Sequence, residues 1–455
     1  MSKERVHFIA IGGSIMHSLA ICLHKMGYNV SGSDDEIFEP AKSTLEGFNL
    51  LPTPYGWNPD KITSDLDFII LGMHAKPDNP EYLKAKKLGI TVYSFPEFMY
   101  EACKNKQRIV IAGSHGKTTI TSMIMYVLNK IGKDFDYMVG AKIDGFSDQV
   151  KITKDAPIVI IEGDEYLTSL EDRRPKFLNY WHHIAVVSGI AWDHINVYPE
   201  YKDYVHQFEL LADMTPRSGK LIYFDGDKTL TDICSTERKD VMSIPYNVHD
   251  HKIVNGKTIL LDNGNEYPIN VFGEHNITNL NAALLVCLKI GIDKEQFYKA
   301  IASFTGAARR LELVKENESI NSSVYKDFAH APSKVKATTQ SMKKQYDNRK
   351  LVACLELHTY SSLNKDFLPH YENALALADT AFVYYNPKTL EIKNLDPISH
   401  QEIKDAFKSE VEVFTDSQKL KNRLEELNIE NATLLMMSSG NYDNLDLNEL
   451  ADKLI

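Results

Sequence analysis

Short apolar runs alternate with amphipathic stretches along the whole chain, and this alternation sets the fold class. Residues 6–11 read as a buried strand. Gly12-Gly13-Ser14 turns that strand into a helix with Ile15, Leu19, Leu23 and Met26 at helical spacing, ended by Gly27. A second strand, residues 29–33, carries Asp34 at its tip, and strands at 68–72 and 91–93 follow. An apolar run then ends in Gly113-Ser114-His115-Gly116-Lys117-Thr118-Thr119 and passes into a helical pattern from Ile120. Further strands are expected at 157–162, 184–188, 351–355, 381–385 and 434–438, with helices at 280–290 and 447–454. Strands and helices alternating in this way predict α/β domains with largely parallel sheets.

Length divides that pattern. The 455 residues leave room for about three domains, each with its own core. The boundaries fall at 1–104, 105–305 and 306–455. The second begins just before the glycine-rich loop. The third begins at the small, polar Gly306-Ala307-Ala308.

Composition narrows the function classes. Hydrophobic residues make up 43% and charged residues 25%, as in globular proteins. A net charge of −11 argues against non-specific nucleic-acid binding, so positive charge for an anionic ligand must be gathered locally. Five scattered cysteines, with no CxxC pair, read as reduced core thiols and point to a cytoplasmic setting. The polar N-terminus runs straight into a strand, so no leader is expected. No apolar run approaches membrane-spanning length.

The chemistry gathers at strand ends. Strand, small-residue turn and helix N-terminus, in that order, make a phosphate-binding loop. Its glycines let backbone N–H groups reach phosphate oxygens, Lys117 supplies a mobile charge, and the Thr118 hydroxyl is placed for Mg²⁺. Ile111 stands where the common spacing has a glycine, so a plain strand-to-helix turn is the competing reading. Glu162-Gly163-Asp164-Glu165 ends a buried strand, where a carboxylate beside a triphosphate would hold Mg²⁺. Asp193-His194 follows the next strand and offers a second metal-competent group. Asn276 and Asn279 share one helix face. They either hydrogen-bond a nucleotide or cap the helix. Gly12, Gly13, Ser14, Ser33 and Asp34 form a βαβ start that either binds a nucleotide diphosphate or is a tight turn. Arg309-Arg310 and Lys326 to His330, far along the chain, would reach a nucleotide through domain closure.

Taken in order, Gly113 to Thr119, Glu162 to Glu165, Asp193-His194, His275 to Asn279, Arg309-Arg310 and Asp327 to His330 resemble the motifs of the Mur ligases, the ATP-dependent amide-forming ligases of peptidoglycan synthesis. The resemblance spans nearly the whole chain. It implies a Rossmann-like UDP-binding domain, a central ATPase-like domain and a Rossmann-like C-terminal domain. Ile11 to Ser14 and Ser31 to Asp34 are similar to the branch that uses UDP-N-acetylmuramate. Within it, Tyr166 and the run Asp172-Arg173-Arg174-Pro175-Lys176-Phe177 are similar to members that add L-alanyl-γ-D-glutamyl-meso-diaminopimelate. The alternative is addition of L-alanine.

The resemblance also implies roles. Lys117 would hold the β- and γ-phosphates of ATP, Thr118 and Glu162 one Mg²⁺, and His194 a second. Asn279, Arg310 and Asp327 would engage ATP. Arg173, Arg174 and Lys176 would meet the anionic UDP-sugar or serve as surface charge, and His330 would face substrate. The chain departs from its relatives at Ser188-Gly189, Lys326 and Ala331. It also lacks the arginine of the loop that aligns with Glu356 to Ser362. Glu209, with no nearby lysine, stands where several relatives carry a carbamylated lysine, so no carbamate is expected. A non-catalytic nucleotide-binding regulator and a dehydrogenase are the readings from other classes.

Overall fold

The computed structural model describes residues 3–192, 194, 197–306 and 311–455, and four sheets carry them. The first is parallel, with β1 (Arg5–Ile9), β2 (Asn29–Ser33), β3 (Phe68–Leu71) and β4 (Thr91–Ser94) in the order β2-β1-β3-β4. The second contains β5 (Gln107–Ala112), β6 (Asp136–Met138), β7 (Val150–Lys151), β8 (Ile158–Glu162), β9 (Ile184–Val187), β10 (Lys220–Phe224) and β11 (Met242–Tyr246). Its order is β11-β10-β9-β5-β8-β6-β7, with β7 antiparallel to β6. These two sheets belong to one compact unit, Met1–His249 with Thr278–Ile301.

The second unit is Asp250–Ile277 with Ala302–Ile455. It holds an antiparallel meander, β12 (His251–Val254), β13 (Lys257–Asp262) and β14 (Asn265–Ile269). It also holds a sheet of β15 (Glu312–Asn317), β16 (Ser322–Asp327), β17 (Lys350–Glu356), β18 (Thr380–Tyr384), β19 (Glu412–Phe414) and β20 (Ala432–Met437). That sheet runs β15-β16-β20-β17-β18-β19 and is parallel apart from the β15–β16 hairpin.

The central strands are buried on both faces, which is why they read as continuous apolar runs rather than alternating ones. Ile109 to Ala112, Ile158 to Ile161, Ile184 to Val187 and Ala432 to Met437 are all buried. The five cysteines are likewise buried and unpaired. Burial pushes the Cys22 thiol up to about 11 and the Cys103 thiol to about 12. No helix among the described residues is long and apolar enough to cross a membrane.

The structure departs from the sequence pattern in two instructive places. The first strand stops at Ile9, not residue 11, because Ala10 takes φ +67° and turns the chain out of the sheet. Ala10 and Ile11 then donate their N–H groups to Ser33 O at 2.9 and 3.1 Å, binding the turn to the tip of β2. The meander was not expected, yet its turns carry a local signal. Asn255-Gly256 and Asn263-Gly264 all have positive φ, the pairing that two-residue hairpins favour.

Candidate active site

The strand order β9-β5-β8 brings three strand ends side by side, and the candidate chemistry lies on them. After β5, Gly113 (φ +116°) and Gly116 (φ +83°) bend the chain into the helix Lys117–Lys130. A side chain at Gly113 would press on Ser188 Oγ and N, 2.6 and 2.7 Å from its Cβ. The loop is fastened to the tail of β9. Ser114 N donates to Gly189 O (2.9 Å), Ser114 Oγ to Ala191 O (2.5 Å), and Ser188 Oγ to the carbonyl of His115. The small Ser188-Gly189 pair thus permits close docking of the loop.

Lys117 folds back over the loop. Its Nζ donates to Gly113 O at 2.6 Å and to Glu165 Oε2 at 2.8 Å. Thr118 Oγ1 donates to Glu162 Oε1 (2.7 Å), and Gly140 N donates to Glu162 Oε2 (2.9 Å). Burial raises the Glu162 carboxyl above its ordinary range, against these bonds and the Lys117 charge. Burial also opposes ionisation of Asp164. The Lys176 ammonium at 2.5 Å, the Tyr166 N–H and the Lys117 charge together outweigh it and hold that carboxyl below its ordinary range.

His194 Nε2 stands 3.4 Å from Glu165 Oε1, and Asp164, Glu165 and His194 offer ligand atoms within 4.8 Å of one another. Two donor groupings therefore flank Lys117: Thr118 with Glu162, both offering oxygen, and Asp164 with Glu165 and the His194 ring nitrogen. Their carboxylate and hydroxyl oxygens suit Mg²⁺. Glu165 is the residue that the sequence reading underrated. It is buried, pairs with both Lys117 and His194, and accepts the Tyr198 hydroxyl on its carbonyl at 2.8 Å. Tyr166 meets the His194 ring edge-on, with centroids 5.2 Å apart.

Other expected residues fall in several places. Asn279 lies against the loop, so a Cβ on Gly116 would collide with its Oδ1. Asn276, in contrast, is buried and donates its amide to Phe272 O at 2.9 Å, which ties the helix to the segment before it and is not a cap bond, since a cap accepts from a helix N–H. Asp34 Oδ2 accepts Gly12 N–H at 2.7 Å beside the helix Ser14–Lys25, whose N-cap Gly13 makes no side-chain bond. Ser33 Oγ accepts from Lys61 Nζ at 3.1 Å. Of the three expected cations, Arg174 is held by Asp172 and Asn179, and Lys176 by Asp164, while Arg173 is exposed.

In the second unit, Asp327 is buried with both oxygens engaged, by Leu311 N (2.6 Å) and Ala329 N (2.7 Å). It organises its own turn rather than presenting a free carboxylate. His330 Nδ1 meets Phe328 O at 2.8 Å. Asp193, Arg309 and Arg310 lie outside the described residues.

Two predictions arise here. Gly116→Ala puts an alanine at φ +83° and drives it into Asn279. Left-handed backbone costs about 1–2 kcal/mol, so nucleotide affinity is expected to fall about tenfold or more, as measured by ADP titration. The second concerns Asp34, whose carboxyl burial raises to about 6. The folded state then binds its proton more tightly than the unfolded state. Stability from this group is complete below the ordinary carboxyl range and is lost as pH rises from about 4 to about 6. At about 1.4 kcal/mol per unit the loss is at most about 3 kcal/mol. Melting temperature should decline across that window in the wild type, and Asp34→Asn should flatten the decline.

Known proteins share this fold. The family model described as "Mur ligase family, catalytic domain" matches residues 5–107, and "Mur ligase middle domain" matches residues 111–287. A UDP-N-acetylmuramate--L-alanine ligase of Clostridium kluyveri is 30% identical over 400 residues, covering 83% of this chain and 84% of the relative. The crystal structure of a UDP-N-acetylmuramate-alanine ligase from Thermotoga maritima superposes with a TM-score of 0.68 at 21% identity, over 97% of this chain and 96% of that one. That of a murein peptide ligase from Psychrobacter arcticus gives 0.61 at 22% identity, over 99% and 98%. With its strand-end site and these matches, the chain belongs to the Mur ligase family, the ATP-dependent amide-forming ligases of peptidoglycan synthesis.

Proposed function

We propose that this ligase activates the lactyl carboxylate of UDP-N-acetylmuramate with ATP and joins it to an amine, and that L-alanine is the leading candidate for that amine. The observation that carries the ligation reading is Lys117 held between the phosphate loop and Glu165, with Thr118–Glu162 on one side and His194 on the other. The curated relative at 30% identity carries the alanine-adding name, which favours L-alanine over the tripeptide expected from the sequence. The tripeptide stays as the second reading for a specific reason. Tyr166 packs on His194, and Leu167 bridges Pro175 to close a hairpin over residues 168–174. The murein peptide ligase fold also covers nearly the whole chain.

In this reading the loop N–H groups from Gly113 to Thr119 hold the phosphates, and Lys117 swings from Glu165 to the γ-phosphate. The muramyl carboxylate attacks that phosphorus and ADP leaves, giving an acyl phosphate. The amine then attacks the acyl carbon, and phosphate leaves from the tetrahedral adduct. Bound Mg²⁺ would neutralise phosphate charge that otherwise repels the carboxylate, with Thr118, Glu162 and His194 as its protein donors and Asp164 and Glu165 beside them. Gly12, Gly13, Ser14, Ser33 and Asp34, with Arg173, would take the UDP-sugar. Asn279 and Arg310 would contact ATP, and Asp327 would shape the turn that carries His330. The division at 104 and 305 would separate sugar-nucleotide, ATP and acceptor functions, all in the cytoplasm.

Product mass decides the acceptor. The purified protein with UDP-N-acetylmuramate, ATP and Mg²⁺ should yield UDP-N-acetylmuramoyl-L-alanine when given L-alanine. Product with L-alanyl-γ-D-glutamyl-meso-diaminopimelate alone would overturn L-alanine and install the second reading.

A further inference from the structure

Within the first unit, one contact lies outside the glycine-rich loop and the strand ends. The hairpin of residues 168–174 follows β8, and its tip reaches the helix Pro80–Leu88, which follows β3. Tyr82 donates its hydroxyl to Glu171 Oε2, and Lys86 Nζ donates to Glu171 Oε1 at 3.0 Å. The Lys86 ammonium also lies 4.1 Å from the centroid of the Tyr82 ring, so the three side chains form one clasp.

Both ends of the clasp are held from behind. Tyr82 is 6% exposed, and its neighbour Glu81 is fully buried. Glu81 accepts from Asn58 N at 2.7 Å and meets His7 Nε2 at 3.3 Å. His7 lies on β1 and meets Ser31 Oγ of β2 at 2.9 Å. The helix is thereby fixed to the strands that lead to Gly12, Ser33 and Asp34. In the hairpin, Thr168 N and Oγ1 both donate to Arg174 O, at 2.9 and 2.8 Å. Ser169 N donates to Asp172 O at 3.0 Å, which leaves Leu170 and Glu171 at the tip. Leu170 is exposed, so Glu171 anchors that tip.

The charges of the hairpin are divided unequally. Asp172 pairs with Arg174, and Asp164 with Lys176. Arg173 is exposed and makes no hydrogen bond or ion pair among the described residues. Its charge nonetheless reaches the site. Burial and the Glu165 and Asp164 charges raise the Tyr198 hydroxyl above its ordinary range, and the Arg173 charge opposes them. That hydroxyl donates to Glu165 O. Arg173 therefore lies within electrostatic range of the strand-end carboxylates, with its fork open for an anion.

An ion pair as exposed as Lys86–Glu171 adds little to global stability. What it fixes is the place of a hairpin that presents an unpaired arginine beside the site. We propose that Glu171 is a positioning residue, clasped by Tyr82 and Lys86 so that the hairpin holds Arg173 toward the anionic sugar nucleotide. This rests on the ligase reading for the identity of that anion. A cation held in its bound position lowers the ordering cost of binding. The clasp should thus act on affinity for the sugar nucleotide rather than on the chemical step.

The test uses the whole chain and two readouts. The first is tryptic cleavage after Arg173, followed by peptide mass without any ligand. Glu171→Ala and Tyr82→Phe should each speed that cleavage about fivefold, with the melting temperature unchanged. The second is affinity for UDP-N-acetylmuramate by calorimetric titration. Arg173→Ala should weaken it about tenfold, and Glu171→Ala about fivefold. The double variant Glu171→Ala/Arg173→Ala should bind no more weakly than Arg173→Ala alone, because Glu171 acts through Arg173. Glu171→Gln, which can still accept from Tyr82, should bind close to the unaltered protein. In turnover, Glu171→Ala should raise KM for the sugar nucleotide and leave KM for ATP unchanged. Losses that multiply in the double variant overturn the proposal, as does unchanged cleavage or unchanged affinity in Glu171→Ala. Failure of the unaltered protein to bind UDP-N-acetylmuramate would remove the ligase reading, and the cleavage rates would then decide the clasp alone.

Discussion

Lys117→Ala should lower ligation-coupled ADP formation by about 10³-fold or more while leaving the fold in place. Nζ is the one cation bonded to both the glycine-rich loop and the strand-end carboxylates among the described residues, through Gly113 O at 2.6 Å and Glu165 at 2.8 Å. Removing a single donor from a charge-stabilising site costs about 10²–10³ in rate. Here the lost donor also carries full charge, which puts the effect at the upper end. A second consequence separates chemistry from stability. Glu165 is buried, and losing its partner leaves a carboxylate whose remaining neighbour is His194 at 3.4 Å. Breaking a buried pair from one side costs about 3–5 kcal/mol, and Lys117's partial exposure reduces that. The single variant should therefore melt earlier. The double variant Lys117→Ala/Glu165→Gln should recover stability but not turnover. If activity returned along with stability, the lysine's role would be structural.

Glu162→Gln should raise the Mg²⁺ concentration for half-maximal activity by about tenfold or more and cut kcat by about 100-fold. The carboxylate sits between Thr118 Oγ1 and Gly140 N, both within 2.9 Å, and an amide oxygen preserves much of that bonding. What disappears is the negative charge that a hard cation seeks. Loss of charge with geometry kept should thus appear as a Mg²⁺ requirement rather than as unfolding. Activity measured against Mg²⁺ concentration, with ADP affinity measured alongside, checks this. An unchanged Mg²⁺ dependence would place the cation elsewhere, with Asp164, Glu165 and His194 as the next donor set.

What could be read from the chain follows from the range of the forces involved. Strands buried on both faces announce themselves as apolar runs. Residues 29–33 and the helix Leu447–Leu454 have the same bounds in the structure as in the pattern. The turn from Gly113 to Gly116 into the helix Lys117–Lys130 was legible because strand, glycine turn and helix N-terminus are consecutive. Features set by side-to-side strand order were not. Glu165 meets Lys117 and His194 only because β8, β5 and β9 are neighbours, and no local pattern states that order. The resemblance gives Asp327 a role toward ATP, but its own bonding was not legible in sequence. Folding places Leu311 N and Ala329 N on its two oxygens. The meander was legible in its two Asn-Gly turns but was masked by the expectation of uninterrupted α/β alternation. The left-handed Ala10 has no sequence signature, since alanine gives no hint of positive φ.

The most direct test of the central claim follows oxygen atoms. UDP-N-acetylmuramate labelled with ¹⁸O in its lactyl carboxylate would be incubated with ATP, Mg²⁺, L-alanine and the protein, and the released phosphate analysed by mass. Activation through an acyl phosphate moves one labelled oxygen from the carboxylate to phosphate in each turnover, so labelled phosphate should match product one for one. Amide product with unlabelled phosphate would contradict the account, because the carboxylate would not have attacked the γ-phosphate.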